Sequence, residues 1–280
     1  MSDQENYYLK NKDHLDTILD SDFVVIAGPC CLENEDKLLE VATKLYKMGI
    51  RFLRAGTFKM RTTVDSYQGL GLEGLKILAR VAHQVGMFVV SEITSAEHLP
   101  DYEKLVDIYL VGMRNMFNYP LLEKLSYSSK PVILKRNLAA KVSELLGSLS
   151  YLTKNGKTNL ILCERGIRTF EDSSRNTLDL TGITILKNNY PELKIYVDPS
   201  HASGQRCNIE DLSLASIMCG LDGLIIEVDK DPEQSLSDAK QIIDIDEFSL
   251  IYHNILKTRA FYQKMKNSSQ ASIKSRGLSK

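Results

Sequence analysis

Eight short runs of apolar residues recur along the chain, at positions 23–27, 52–55, 88–92, 108–112, 131–135, 159–163, 194–197 and 223–228. Runs this short and this continuously apolar predict strands buried on both faces, the pattern of a parallel sheet. Between them lie segments with helical spacing. NEDKLLEVATKLYKMG offers Asn34 as a cap, acidic residues in the first turn, Leu38, Val41, Ala42, Leu45 and Met48 on one face, and Gly49 as a stop. The pattern returns in LEGLKILARVAHQVG, PLLEKLSYSS, KVSELLGSLSYLTKNG and EDLSLASIMCG. Strand and helix in alternation imply right-handed βαβ crossovers. Eight such units predict an α/β fold with one closed (β/α)8 barrel, a doubly wound open sheet being the alternative. The 280 residues suit that barrel, which typically takes roughly 250. Residues 1–22 predict an N-terminal arm or one helix, 23–265 the barrel, and 266–280, polar and without periodicity, a disordered tail.

Charge narrows the partners. Lys and Arg number 35 against 36 Asp and Glu, a formal charge of −1, so the surface as a whole has no attraction for nucleic acid. No apolar stretch approaches the roughly 20 residues that span a bilayer. The opening MSDQENYY is unlike a secretory signal, and the chain is expected to be cytoplasmic with no membrane partner. Five cysteines, an odd number that includes the adjacent Cys30 and Cys31, predict reduced thiols open to metal rather than a disulfide framework.

The cations are placed more tellingly than their number suggests. Arg54, Lys59, Arg61, Arg114, Lys135, Arg136, Arg165 and Arg168 fall at or just beyond the downstream ends of apolar runs. Ligands of parallel α/β sheets bind outside the carboxyl ends of the strands, so these side chains are expected to converge on one face. So many cations repel one another unless ligand anions intervene, which predicts more than one phosphate or carboxylate. Neither a dinucleotide fingerprint nor a P-loop is present. Cys30, His201, Glu227 and Asp238 occupy run ends or the loops just after them. Thiolate, imidazole and two carboxylates make a mixed soft and hard donor set, compatible with one divalent ion of zinc, iron, manganese or cobalt.

The segments IAGPC, RAGTFKMRTTVDSYQGLGLEGL, GMRNM, ILKR, ILCERGIRTFEDSSRNTLDL, VDPSHASG, DGLIIEV and LSDAKQ follow one another in this order. Together they resemble the compact microbial 3-deoxy-D-arabino-heptulosonate 7-phosphate (DAHP) synthases, over about residues 20–245. The resemblance implies a (β/α)8 barrel that condenses phosphoenolpyruvate with erythrose 4-phosphate, the first step toward chorismate and the aromatic amino acids. It implies Cys30, His201, Glu227 and Asp238 as metal ligands. It places Arg54 and Lys135 on the phosphoenolpyruvate carboxylate, Arg114 and Arg165 on its phosphate, Lys59 as proton donor, and Arg61 with Thr62 on the aldehyde's phosphate.

The chain departs from the family at three places. Proline is usual where Met60 stands, a small residue such as serine at Cys31, and glycine at Asn137. The eight-carbon octulosonate 8-phosphate synthase, which uses arabinose 5-phosphate, is the nearest alternative, and a barrel retained without catalysis is another. The run from Lys59 to Thr62 and the segment RNTLDL favour the seven-carbon enzyme. A homo-oligomer, dimer or tetramer, is expected. With short flanks on both sides of the barrel, no built-in control by aromatic end products is expected.

Overall fold

The computed structural model describes residues 3–21, 23–60, 63 and 65–275. A helix α1 (Asp3–Leu19) precedes β1 (Val24–Gly28), α2 (Glu35–Lys47), β2 (Phe52–Arg54), α3 (Gly71–Val85), β3 (Phe88–Glu92), α4 (Leu99–Leu105), β4 (Ile108–Val111) and α5 (Tyr119–Leu125). Then follow β5 (Val132–Lys135), α6 (Val142–Thr153), β6 (Leu160–Glu164), α7 (Leu180–Asn189), β7 (Lys194–Val197), α8 (Pro199–Ser203), α9 (Ile209–Met218), β8 (Gly223–Glu227) and α10 (Ile245–Ser275). The eight strands pair in parallel, each with the next, and β8 pairs with β1 from Val24–Gly223 to Gly28–Glu227. The expected closed (β/α)8 barrel is therefore the fold, and the open sheet is excluded.

Local chemistry sets the elements. The Asn34 side chain accepts from Lys37 N at 2.8 Å and starts α2, whose Leu38, Val41, Ala42 and Leu45 turn inward as the periodicity requires. Gly86, in the left-handed region at φ 90°, ends α3. Leu15 and Leu19 of α1 are buried with Ile26, Phe52, Phe88 and Ile225 of the barrel interior, so α1 packs against the barrel lumen. Lys130, Lys157 and Lys194, each at or just before a strand, tie loops together at the N-terminal end. Lys157 Nζ donates to Ser128 O at 2.8 Å and Lys194 Nζ to Leu19 O at 2.9 Å, while Lys130 Nζ donates to Val106 O at 2.6 Å. α10 runs on to Ser275 with no Pro or Gly to stop it. Residues 266–275 are thus helical where a disordered tail is expected from 266, and 276–280 lie outside the described residues. No helix among the described residues is long and apolar enough to cross a membrane.

Candidate active site

Strand alternation builds the site. Ile26, Phe52, Val90, Leu110, Ile133, Cys163, Tyr196 and Ile225, one from each strand, are packed together in the barrel interior. Side chains two residues further along a strand point the same way. Those positions hold Gly28, Arg54, Glu92, Gly112, Lys135, Arg165, Asp198 and Glu227. The last interior layer at the C-terminal end is therefore charged except for two glycines, one held by its backbone surroundings and the other crowded by a neighbouring carboxylate. A Cβ at Gly28, where φ is 147°, would lie 2.2 Å from Arg54 O, and one at Gly112 would lie 1.8 Å from Glu92 Oε1.

The pocket above this layer is lined by Arg54, Lys59, Met60, Glu92, Arg114, Lys135, Arg165, Arg175, His201 and Asp238. Arg54 and Arg165 are 6% and 2% exposed, yet Arg54 Nε and Arg165 Nη1 are buried with no hydrogen-bond partner. A donor left this way costs about 1–3 kcal/mol, which an anionic ligand would recover. A larger groove of about 970 Å³ opens at the opposite end of the barrel, between α1 and the loops before β5, β6 and β7. Its lysines are already engaged, Lys157 and Lys194 with backbone carbonyls and Lys12 with Asp16, whereas the C-terminal pocket keeps buried guanidinium donors without partners.

Cys30, His201, Glu227 and Asp238 come together here. Donor atoms of Cys30, His201 and Asp238 lie within 4.8 Å of one another, and His201 Nε2 is 3.6 Å from Glu227 Oε1. Cys30 Sγ lies 3.3 Å from Asp238 Oδ2. His201 Nδ1 is 2.8 Å from Asp198 Oδ2, which assigns the proton to Nδ1 and leaves Nε2 to face the other donors. Asp198 also caps α8 through His201 N at 2.9 Å and accepts from Lys135 Nζ. Lys59 Nζ donates to Cys30 Sγ at 3.1 Å and to Cys30 O at 3.2 Å. This donor set fits a divalent transition metal.

Electrostatics follow from burial and neighbours. Burial pushes the Cys30 thiol up, with Glu227 adding and Lys59 opposing. Burial raises Glu227 too, but His201, Arg54 and Lys59 outweigh it and bring the carboxyl down to about 2. Asp198 and Asp238 are likewise held below the usual carboxylate range despite burial, chiefly by His201 in both cases, with Lys135 and Lys59 respectively next. Burial lowers His201, which favours the neutral, ligating imidazole.

Two of the expected cations do not join the site. Arg136 turns outward and donates through Nη1 to Glu164 at 2.9 Å and Asp179 at 2.7 Å, because its neighbour Lys135 takes the inward position. Arg168 is exposed and away from the pocket lining. Arg61 and Thr62 lie outside the described residues. The structure adds Asp198, legible three residues before His201 in DPSH, and Glu92, which closes its strand. It also adds Gln241, the last residue of LSDAKQ, to which the sequence reading gives no role.

Residues 8–263 match the DAHP synthetase I family. The chain belongs to that family. It is 43% identical over 235 residues to the phospho-2-dehydro-3-deoxyheptonate aldolase of Thermotoga maritima, covering 84% of this chain and 69% of that one. A 2-dehydro-3-deoxyphosphooctonate aldolase of Desulfotalea psychrophila is 28% identical over 256 residues, covering 85% of this chain and 90% of the relative. The crystal structure of the Thermotoga maritima DAHP synthase superposes with a TM-score of 0.79 at 41% identity, covering 90% of this chain and 71% of that one. A truncated form of the same synthase gives 0.76 at 38% identity, covering 90% and 88%. Membership of the DAHP synthetase I family agrees with the seven-carbon reading of the sequence, the octulosonate enzymes standing further off.

Proposed function

We propose that this chain condenses phosphoenolpyruvate, erythrose 4-phosphate and water to DAHP and phosphate. The observation that carries the reading is the pair of buried, partnerless guanidinium donors of Arg54 and Arg165 in a pocket that also holds Lys59, Arg114 and Lys135. Arg54 and Lys135 bind the phosphoenolpyruvate carboxylate, and Arg165 with Arg114 binds its phosphate, since planar guanidinium groups match both anions. Arg61 and Thr62 are assigned to the aldehyde's phosphate.

Cys30, His201, Glu227 and Asp238 hold one divalent ion, of manganese, iron, cobalt or zinc. When bound, that ion supplies Lewis-acid polarisation of the aldehyde carbonyl. The methylene carbon of phosphoenolpyruvate attacks the aldehyde carbon, and Lys59 delivers a proton to the oxygen that becomes a hydroxyl. Water adds to the second carbon of the former phosphoenolpyruvate and phosphate departs. Arg54, Lys135 and Arg165 stabilise the negative charge gathered by two anionic substrates. His201 keeps its Nε2 lone pair on the ligand side because its Nδ1–H donates to Asp198.

Loss of phosphoenolpyruvate, followed with erythrose 4-phosphate and separately with arabinose 5-phosphate, tests the reading. Turnover with erythrose 4-phosphate and a seven-carbon product are expected. Preference for arabinose 5-phosphate would reassign the chain to the eight-carbon reaction.

A further inference from the structure

Arg175 and Gln241 have no role in the reading above, yet they reach two of the four proposed ligands. Arg175, in the loop between β6 and α7, donates through Nη1 to Asp238 Oδ1 at 3.1 Å and to Gln241 Oε1 at 2.8 Å. Gln241, 1% exposed, donates through Nε2 to Glu227 Oε2 at 2.6 Å. Its amide orientation follows from its neighbours, because a guanidinium only donates and an ionised carboxylate only accepts. A hydrogen-bonded chain therefore runs from Arg175 through Gln241 to Glu227, with a branch to Asp238.

Each carboxylate is divided by this chain. Asp238 Oδ1 is held by Arg175, while Oδ2 lies 3.3 Å from Cys30 Sγ. Glu227 Oε2 is held by Gln241, while Oε1 faces His201 Nε2 at 3.6 Å and accepts from Arg54 at 2.7 Å. The backbone of the same loop secures the segment that carries His201. Arg175 N donates to Ser203 O, Asn176 N to Ala202 O and Asn176 Nδ2 to His201 O, each at 3.0 Å. Gly204, at φ 68°, lets the loop come this close, since a Cβ there would lie 2.5 Å from Arg175 Cβ. Asp238 itself sits at φ 57°, the one non-glycine residue with positive φ among the described residues. A side chain other than glycine in that region is held there by its surroundings, and such positions gather at functional sites.

We propose that Arg175 and Gln241 are positioning residues that fix Glu227 and Asp238 with one oxygen each turned to the other donors, and so set the affinity for the divalent ion. The proposal rests on the metal site of the proposed function. Freely rotating carboxylates lose orientational freedom when an ion binds, and outer hydrogen-bond donors remove that cost beforehand. Arg175 also balances the negative charge of a thiolate and two carboxylates, which exceeds that of a divalent ion.

The test uses the full chain freed of metal and titrated with cobalt(II) in competition with a chromophoric chelator, reading both affinity and the thiolate-to-cobalt absorption band. Gln241→Leu and Arg175→Met should each weaken cobalt binding about 10–100-fold and alter the band. The double variant should lose less than the product of the two, because Arg175 reaches Glu227 through Gln241. The Arg175 side chain is 40% exposed, so its replacement leaves folding intact even where the Gln241 variant does not fold. Calorimetric binding of phosphoenolpyruvate to the metal-free Gln241→Leu variant, whose side chain lies outside the pocket lining, should match the parent and so report an intact anion pocket. Parental cobalt affinity and an unchanged band in folded Arg175→Met would overturn the proposal. A parent chain that binds no cobalt would overturn the metal reading and the frame with it, whereas parental binding unaffected by the variants removes the frame alone.

Discussion

Glu92 on β3 and Gly112 after β4 are so close that a methyl group on Gly112 would meet Glu92 Oε1 at 1.8 Å. The Gly112 backbone, at φ −67° and ψ 160°, suits any residue, so the glycine answers to the carboxylate and not to the chain. Gly112→Ala should fold with a melting temperature within a few degrees of the parent, because only the end of a side chain has to move. The displaced carboxylate then enters a pocket built for anions, and KM for phosphoenolpyruvate should rise about tenfold, equal to about 1.4 kcal/mol. Adding Glu92→Ala should bring KM back toward the parent. An unchanged KM in Gly112→Ala would show that Glu92 has room elsewhere.

The adjacent thiols make a controlled comparison. Cys30 Sγ lies among the donors, 3.3 Å from Asp238 Oδ2, whereas Cys31 Sγ contacts Glu33 at 3.9 Å. Burial pushes the Cys31 thiol up to about 12, so it stays protonated and inert. Cys30→Ser should weaken zinc or cobalt binding by at least a hundredfold and abolish activity that added metal restores in the chelated parent. Cys31→Ser should change metal affinity less than threefold. Equal losses in both variants, measured by competition titration, would remove Cys30 from the ligand set.

Arg165 and Arg136 follow neighbouring strands but should fail in different ways. Removing Arg165 takes a buried donor from the anion pocket, and Arg165→Ala should cost about 2–5 kcal/mol in phosphoenolpyruvate binding with the fold retained. Removing Arg136 leaves the buried Glu164 and the half-buried Asp179 carboxylates without their cation. Arg136→Ala should therefore cost about 3–5 kcal/mol of stability, seen in urea denaturation, with KM unchanged in the folded fraction. Loss of stability in the first or of substrate affinity in the second would reverse the assignment.

This contrast also shows what could be read from the chain. The strands were legible because apolar runs buried on both faces leave few alternatives, and all eight expected runs coincide with observed strands to within two residues at either end. The convergence of Cys30, His201 and Glu227 with the cations Arg54, Lys135 and Arg165 was legible because they sit at or just past strand ends, whereas Asp238 lies further along the chain after β8. Arg136 was misplaced by treating adjacent residues alike, although the period of two puts Lys135 and Arg136 on opposite sides of the sheet. Gln241 ends the motif LSDAKQ, but its direct reach back to Glu227 is a long-range contact that no local pattern encodes. The helical backbone over 266–275 was missed because the segment has no apolar periodicity, and there the helix simply continues from α10.

The carboxylates of the site tie stability to pH in the metal-free protein. Glu227 is brought from 4.5 down to about 2 in the fold, so between these values the unfolded chain binds more protons than the native one. Stability is then fully present above the unfolded value and is lost as pH falls through the window, and Asp198 and Asp238 act in the same sense. Thermal melts of metal-free protein from about pH 5 to about pH 2 should show a steeper fall for the parent than for Glu227→Gln. Parallel curves would mean that Glu227 gains no stabilisation from Arg54 and His201.

Lys59 is the residue whose removal best separates binding from chemistry. Its ammonium is buried beside Cys30, where burial lowers its pKa but Cys30 and Glu227 raise it further, so it enters the reaction charged and able to give a proton. Methionine preserves the length of the stem and removes the charge. Loss of a general acid typically costs about 10²–10⁴ in rate, and Lys59→Met should lower kcat by that order while KM for phosphoenolpyruvate stays within about threefold, since Arg54, Lys135 and Arg165 still hold the anion. Because Lys59 Nζ also contacts Cys30 Sγ at 3.1 Å, metal content must be measured beside the kinetics. A fall in kcat with full metal occupancy assigns the loss to proton delivery, whereas parental kcat at full occupancy would show that another group, or water, supplies the proton.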